Sequence, residues 1–159
     1  MDLYWDKTTY EIQRRAFLEQ AQWAMAADLP VSIHSREATR ELIAIIRAEN
    51  LKRLRGVFHC FTGNEEEAEE LIKMGFYLGI GGVITYKNSQ LPPVIARIGT
   101  SHLVLETDAP YLPPVPYRGK RNETSYIPLI AQKLAEILSV PTEQIAEITT
   151  KNSKDIFGI

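Results

Sequence analysis

Cysteine is almost absent: Cys60 is the single one in 159 residues, so no intrachain disulfide can form. That suits a reducing compartment, and cytoplasm is the expected location. Long hydrophobic runs are missing as well. The longest mostly apolar stretch, Gly75 to Ile84, is rich in glycine and far short of the roughly 20 residues a membrane helix needs. The opening Met-Asp-Leu-Tyr-Trp-Asp-Lys lacks the basic-then-apolar order of a secretory signal, so a soluble protein without a membrane partner is expected. Positive charge is not in excess either. Eighteen Lys and Arg against twenty Asp and Glu leave a formal charge of -2, which excludes a global field for sequence-independent nucleic-acid binding. Any polyanion contact has to be local. Glycine and proline, at nine each, are too few for a collagen-like or low-complexity chain, and 45% hydrophobic with 24% charged residues excludes disorder.

What is present is a repeating alternation of short apolar runs and amphipathic stretches. A helix is expected from about Thr9 to Ala27, with Thr8 and Glu11 spaced as a capping box and Asp28-Leu29-Pro30 as its stop. Val31 to His34 reads as a strand, Glu37 to Glu49 as a helix, and Gly56 to Phe61 as a second strand. Asn64 and Glu67 form another capping pair before a helix that ends at Gly75. Tyr77 to Val83 is the third strand, Leu91 to Ile98 a helix with Pro92 and Pro93 in its first turn, and Leu103 to Thr107 the fourth strand. Strands recurring about every 20 to 26 residues with helices between them point to βαβ units and a parallel sheet buried on both faces. The fold class is α/β. A Pro-rich stretch, Pro110 to Tyr117, then leads to a basic loop and C-terminal helices, the longest from about Tyr126 to Leu138; no interdomain linker is visible, so residues 1–159 read as one domain.

In parallel α/β sheets, chemistry gathers at the carboxyl ends of the strands. That rule selects His34, His59 and Asp108, each of which ends or interrupts an apolar run. Imidazoles with a carboxylate are the donor mixture expected for a divalent metal that activates water. His102 precedes its strand at the opposite end of the sheet and reads as structural. Glu106 lies two residues before Asp108, on the same strand face, and reads as a supporting carboxylate. Arg36 can aim its fork at a phosphate, with an ion pair to Glu37 or Glu41 as the plainer reading. Arg118, Lys120 and Arg121 place three positive charges in one loop, which beside a metal site would suit an anionic substrate. Cys60 as a thiol nucleophile is disfavoured, since strand alternation turns it away from His59 and no activating base is evident.

Taken in order, the segments Leu29-Pro30-Val31-Ser32-Ile33-His34-Ser35-Arg36, Gly56-Val57-Phe58-His59-Cys60-Phe61-Thr62-Gly63, Gly75 to Gly82, Leu105-Glu106-Thr107-Asp108-Ala109-Pro110-Tyr111-Leu112, Arg118 to Glu123 and the tail Thr150 to Gly158 resemble the TatD family of metal-dependent deoxyribonucleases. The resemblance covers essentially the whole chain. It implies a TIM-like (β/α)8 metallohydrolase barrel of the amidohydrolase type and hydrolysis of DNA phosphodiester bonds by metal-activated water. By the same resemblance two divalent ions (Mg2+, Mn2+ or Zn2+) are the cofactors, His34, His59 and Asp108 are metal ligands, and Asp108 also has a catalytic role. Arg36, Arg118, Lys120 and Arg121 would hold phosphates, with DNA as partner.

The chain departs from the family pattern in extent. A complete barrel takes about 250 residues, and four strands are found here in place of eight. The family's first-strand His-x-His pair does not occur, and the Glu of its Gly-Glu-x-Gly-Leu-Asp segment would fall just upstream of Met1-Asp2. Thr124 stands where the family commonly has Pro. The sequence thus reads as the C-terminal half of such a barrel, begun at an internal Met, with three of six expected ligands. Open strand edges would invite pairing with another copy or with the missing half. Two alternatives accompany the nuclease reading: a catalytically dead half-barrel that works only by association, and a related hydrolase with a non-nucleic substrate.

Overall fold

Four short apolar runs pair in the order of the sequence. In the computed structural model, which describes residues 1–159, β1 (Val31–His34), β2 (Gly56–His59), β3 (Tyr77–Ile80) and β4 (Leu103–Leu105) form one parallel sheet in the order β1-β2-β3-β4. Helix α1 (Tyr10–Ala26) precedes β1, whereas α2 (Thr39–Ala48), α3 (Glu65–Lys73) and α4 (Leu91–Ile98) connect successive strands, and α5 (Ile127–Leu138) and α6 (Thr142–Phe157) end the chain. The α/β class and the parallel sheet are as the spacing implies. None of the helices is long and apolar enough to cross a membrane.

Strand alternation gives the sheet two unlike faces. Ile33, Phe58, Leu78 and Leu103 turn toward the helices and join a core with Leu42, Ile46, Leu71, Ile95, Ile130 and Leu134. Burial of each such side chain is worth about 1.5–3 kcal/mol relative to exposure. On the other face Val57 and Val104 meet Ile156 of α6, with Tyr77 packed beside them. Asn152 fixes α6 there: its buried Nδ2 donates to the carbonyls of Thr100 (2.9 Å) and Leu103 (2.8 Å), and Arg55 Nη1 donates to the Ile156 carbonyl (3.1 Å). These partners precede β2 and β4 or begin them, so α6 covers the amino-terminal part of this face. The carboxyl-terminal part stays open, and the exposed His34 side chain lies on it. The expectation of burial on both faces therefore holds for only part of the sheet.

Local differences have local causes. The Thr8–Glu11 capping box does not form; Asp6 accepts from the Thr8 N–H (2.8 Å) and starts a 3-10 turn, Lys7–Thr9, that runs into α1. The Asn64–Glu67 box is complete, with both bonds at 3.0 Å. Helix α2 starts at Thr39 because Glu37, at φ 49, is left-handed and cannot open it. Strand β3 ends at Ile80 because Gly82–Thr85 winds into a 3-10 turn pressed on the proline loop; a Cβ at Gly82 would lie 2.3 Å from the Leu112 carbonyl oxygen. With β3 turned away, Thr107 has no ladder partner, and β4 stops at Leu105.

Candidate active site

The register of β1 on β2 places His34 directly opposite His59. Their rings are 5.3 Å apart, and His34 Nδ1 stands 3.0 Å from His59 Nε2. Each outer nitrogen faces a carboxylate: His34 Nε2 is 3.5 Å from Asp2 Oδ2, and His59 Nδ1 is 3.3 Å from Glu106 Oε1. Glu106 raises the His59 pKa, chiefly through that hydrogen bond, against the opposing effect of burial. It also fixes the tautomer. With the proton of neutral His59 on Nδ1, the Nε2 lone pair points at the gap between the rings.

Glu106 reaches β2 from beyond the end of β4 by lying across β3 at Gly79. A Cβ at Gly79 would fall 2.3 Å from Glu106 Oε2 and 2.8 Å from its Cδ. The Cys60 N–H anchors the same carboxylate at 2.7 Å. Cys60 itself is left-handed at φ 46, and burial, followed by the charges of Glu106 and Asp108, pushes its thiol up to about 12. A thiol so raised disfavours the thiolate and a nucleophilic role, but strand alternation is not the reason: Cys60 follows the end of β2 and lines the same cavity as His59.

A cavity of about 490 Å³ opens over this pair, and its wall includes His34, Arg36, His59, Cys60, Asp108 and Tyr111. The three residues singled out at strand ends thus share one cavity, but they do not converge equally. Asp108 sits three residues past β4, and no group of three or more His, Cys, Asp or Glu side chains is gathered about a single point. Two imidazoles on a tetrahedral ion at 2.0–2.1 Å would stand about 3.4 Å apart. The observed 3.0 Å needs an opening of only a few tenths of an ångström. In spacing and donor chemistry the His34–His59 pair fits a divalent cation, whereas Asp108 lines the same cavity without joining the two imidazoles in one cluster, so the expected three-residue convergence is met only by the histidines.

The cationic candidates separate. Arg36 belongs to the cavity wall, and its backbone is held by the N-terminal segment: its N–H donates to the Met1 carbonyl (3.1 Å) and its carbonyl accepts from Leu3 (2.9 Å). Rather than pairing with Glu37 or Glu41, its guanidinium lies 3.9 Å from the Tyr4 ring centre and 5.2 Å from that of Trp5. Arg118, Lys120 and Arg121 are exposed and stand outside the wall, Arg118 over Tyr86 at 4.1 Å and Lys120 at 5.8 Å from the Tyr117 ring. Their loop is folded back by buried Asn122, whose Nδ2 donates to the Tyr111 carbonyl (2.6 Å) and whose N–H donates to that of Pro110 (3.0 Å). His102 lies before β4 beside Tyr77, away from the cavity, as expected of a structural residue.

Asp2, Gly79 and Asn122 are site-building residues that the reading of strand ends passes over. Gly79 left a trace in the Gly79-Ile80-Gly81-Gly82 run, whereas the Asp2 contact crosses 32 residues of sequence and carries no local signal.

The family model described as TatD related DNase matches residues 1–158. Among curated proteins, the uncharacterized metal-dependent hydrolase YabD of Bacillus subtilis is 43% identical over the full chain, and YcfH of Escherichia coli, likewise named an uncharacterized metal-dependent hydrolase, is 35% identical. The chain spans 63% and 60% of their lengths, respectively. The crystal structure of YjjV, a TatD homologue from Escherichia coli K12, superposes with a TM-score of 0.93 at 32% identity, over the whole chain and 61% of that structure. A TatD family hydrolase from Entamoeba histolytica shares the fold at a TM-score of 0.81 and 22% identity, over 98% of this chain and 59% of its own.

Proposed function

The chain belongs to the TatD-related DNase family, whose relatives here are named metal-dependent hydrolases, and from that we propose that it hydrolyses DNA phosphodiester bonds in the cavity over His34 and His59. The observation that carries this reading is the 3.0 Å approach of two imidazole nitrogens, one ring held from behind by Glu106. His34, His59 and Asp108 would hold a divalent ion, and a second ion, as the family resemblance implies, would need donors beyond these. A bound divalent ion supplies Lewis-acid polarisation of the phosphate and a lowered pKa for water.

The protein's own groups do the rest. Glu106 keeps the proton of His59 on Nδ1, so that Nε2 remains a donor to the ion. The carboxylate of Asp108 takes the proton of the attacking water. Arg36, in no direct ion pair but within the field of Asp2, offers its fork to a phosphate, and Arg118, Lys120 and Arg121 draw the strand toward the mouth from outside. Phosphodiesterase assays with added Mg2+, Mn2+ or Zn2+ test this. Activity should appear with metal and fall at least a hundredfold in His34→Ala and Asp108→Ala. Activity that neither substitution lowers would remove the site assignment, and turnover of amide panels in place of DNA would favour a non-nucleic substrate.

A second reading rests on the outer edge of β1. Met1 and Leu3 pair only with Arg36, and the Met1 ammonium donates to the His34 carbonyl, while a further cavity of about 490 Å³ runs along β1 beside Phe17 and Ile33. That edge can take another parallel strand, so the chain would work in association, as a half-barrel completed by another copy or by the rest of a longer protein. Light scattering after size exclusion decides: an active monomer contradicts it.

A further inference from the structure

Three of the exposed aromatic side chains are Tyr111, in the cavity wall, and Tyr4 and Trp5, which touch the wall residue Arg36. Trp5 is 76% exposed, Tyr4 48%, and Tyr111, a wall residue, 69%. Exposed rings that touch one another mark a binding surface more readily than rings scattered singly. The Tyr4 and Trp5 rings meet edge to face, with centres 4.8 Å apart at 89°, so each fixes the other and Trp5 keeps a free face. Arg36, a residue of the cavity wall, completes the group, its guanidinium lying over both rings. A cationic fork for a phosphate thus stands against an exposed aromatic face, and that is the combination which binds unpaired nucleotides, the backbone by charge and the base by stacking.

We propose that Tyr4 and Trp5 form a nucleobase-stacking platform at the mouth of the cavity, so that the strand is held by a phosphate on Arg36 and by an unstacked base on Trp5. This rests on the phosphodiesterase reading above and adds to it the form of the substrate, a strand with at least one base out of its stack. The platform selects little among sequences, because every base has a π-face. A carbohydrate or peptide phosphate would use Arg36 and leave Trp5 idle.

The test uses the intact chain carrying Trp23→Phe, which removes the other exposed tryptophan and leaves Trp5 as the fluorescent reporter. An oligothymidylate and an abasic oligomer of the same length and charge are titrated at one salt concentration. The thymidylate should quench Trp5 and bind about tenfold tighter than the abasic strand, in line with the worth of one stacked base. In Trp5→Ala, followed by anisotropy of labelled oligomers, that difference should vanish while abasic binding stays unchanged; Trp5→Tyr should keep most of it. Equal binding of the two oligomers to the parent chain, no binding of either, or equal weakening of both by Trp5→Ala would overturn the platform. Cleavage of the abasic oligomer reports separately on the hydrolytic site. If it is cut while the base preference is missing, only the platform fails; if the preference is present and no strand is cut, the hydrolase reading fails instead.

Discussion

His34 and His59 are held as a pair by three small things around them: a register that sets them opposite one another, a glutamate on the far nitrogen of His59, and a glycine that lets the glutamate lie there. Glu106 favours protonated His59, so its stabilising effect is fully present below about pH 6.5, the ordinary histidine value, and fades as pH rises through the raised one. Glu106→Gln should therefore lower the His59 pKa measured by NMR and cost more stability at pH 5 than at pH 9. Gly79→Ala drives a methyl group into the Glu106 carboxylate. It should weaken zinc binding by 10- to 100-fold, the usual effect of losing the group behind a ligating histidine, with the melting temperature showing whether the fold survives. At this scale the histidines were legible because polar side chains interrupt apolar strands. Asp2, Gly79 and the stacking of Arg36 were not, since each depends on a partner from a distant segment.

At the scale of elements, periodicity and caps carried most of the information. The bounds of α4, Leu91–Ile98, follow from prolines in its first turn and Gly99 beyond it, and α3 opens on its Asn64–Glu67 box. The ends of β3 and β4 escape such reading, because a 3-10 turn packed against a proline loop decides them. The same is true of α6, whose place under the open face is set by contacts from distant segments, among them the two bonds of buried Asn152. Asn152→Ala leaves the Thr100 and Leu103 carbonyls without their donor. We expect a loss of about 1–3 kcal/mol in urea unfolding, together with faster amide exchange in β4. Asn64→Ala, which breaks the α3 cap alone, should cost about 1 kcal/mol.

For the molecule as a whole, four successive βα repeats were legible as a parallel sheet, and the family segments carried the rest. What a single sequence cannot convey is how much of the inner face is covered. Ile156 closes its lower part against Val57 and Val104, and the upper part, with His34 and His59, opens onto the cavity. The chain spans about three fifths of the relatives it matches.

The account depends on His34 and His59 offering their facing nitrogens to one ion. Calorimetric titration of zinc into the chain and into His34→Ala and His59→Ala tests this directly. We expect a single strong binding event that weakens at least a hundredfold in either variant. Zinc binding unchanged by both substitutions, or absent from the parent chain, would contradict it.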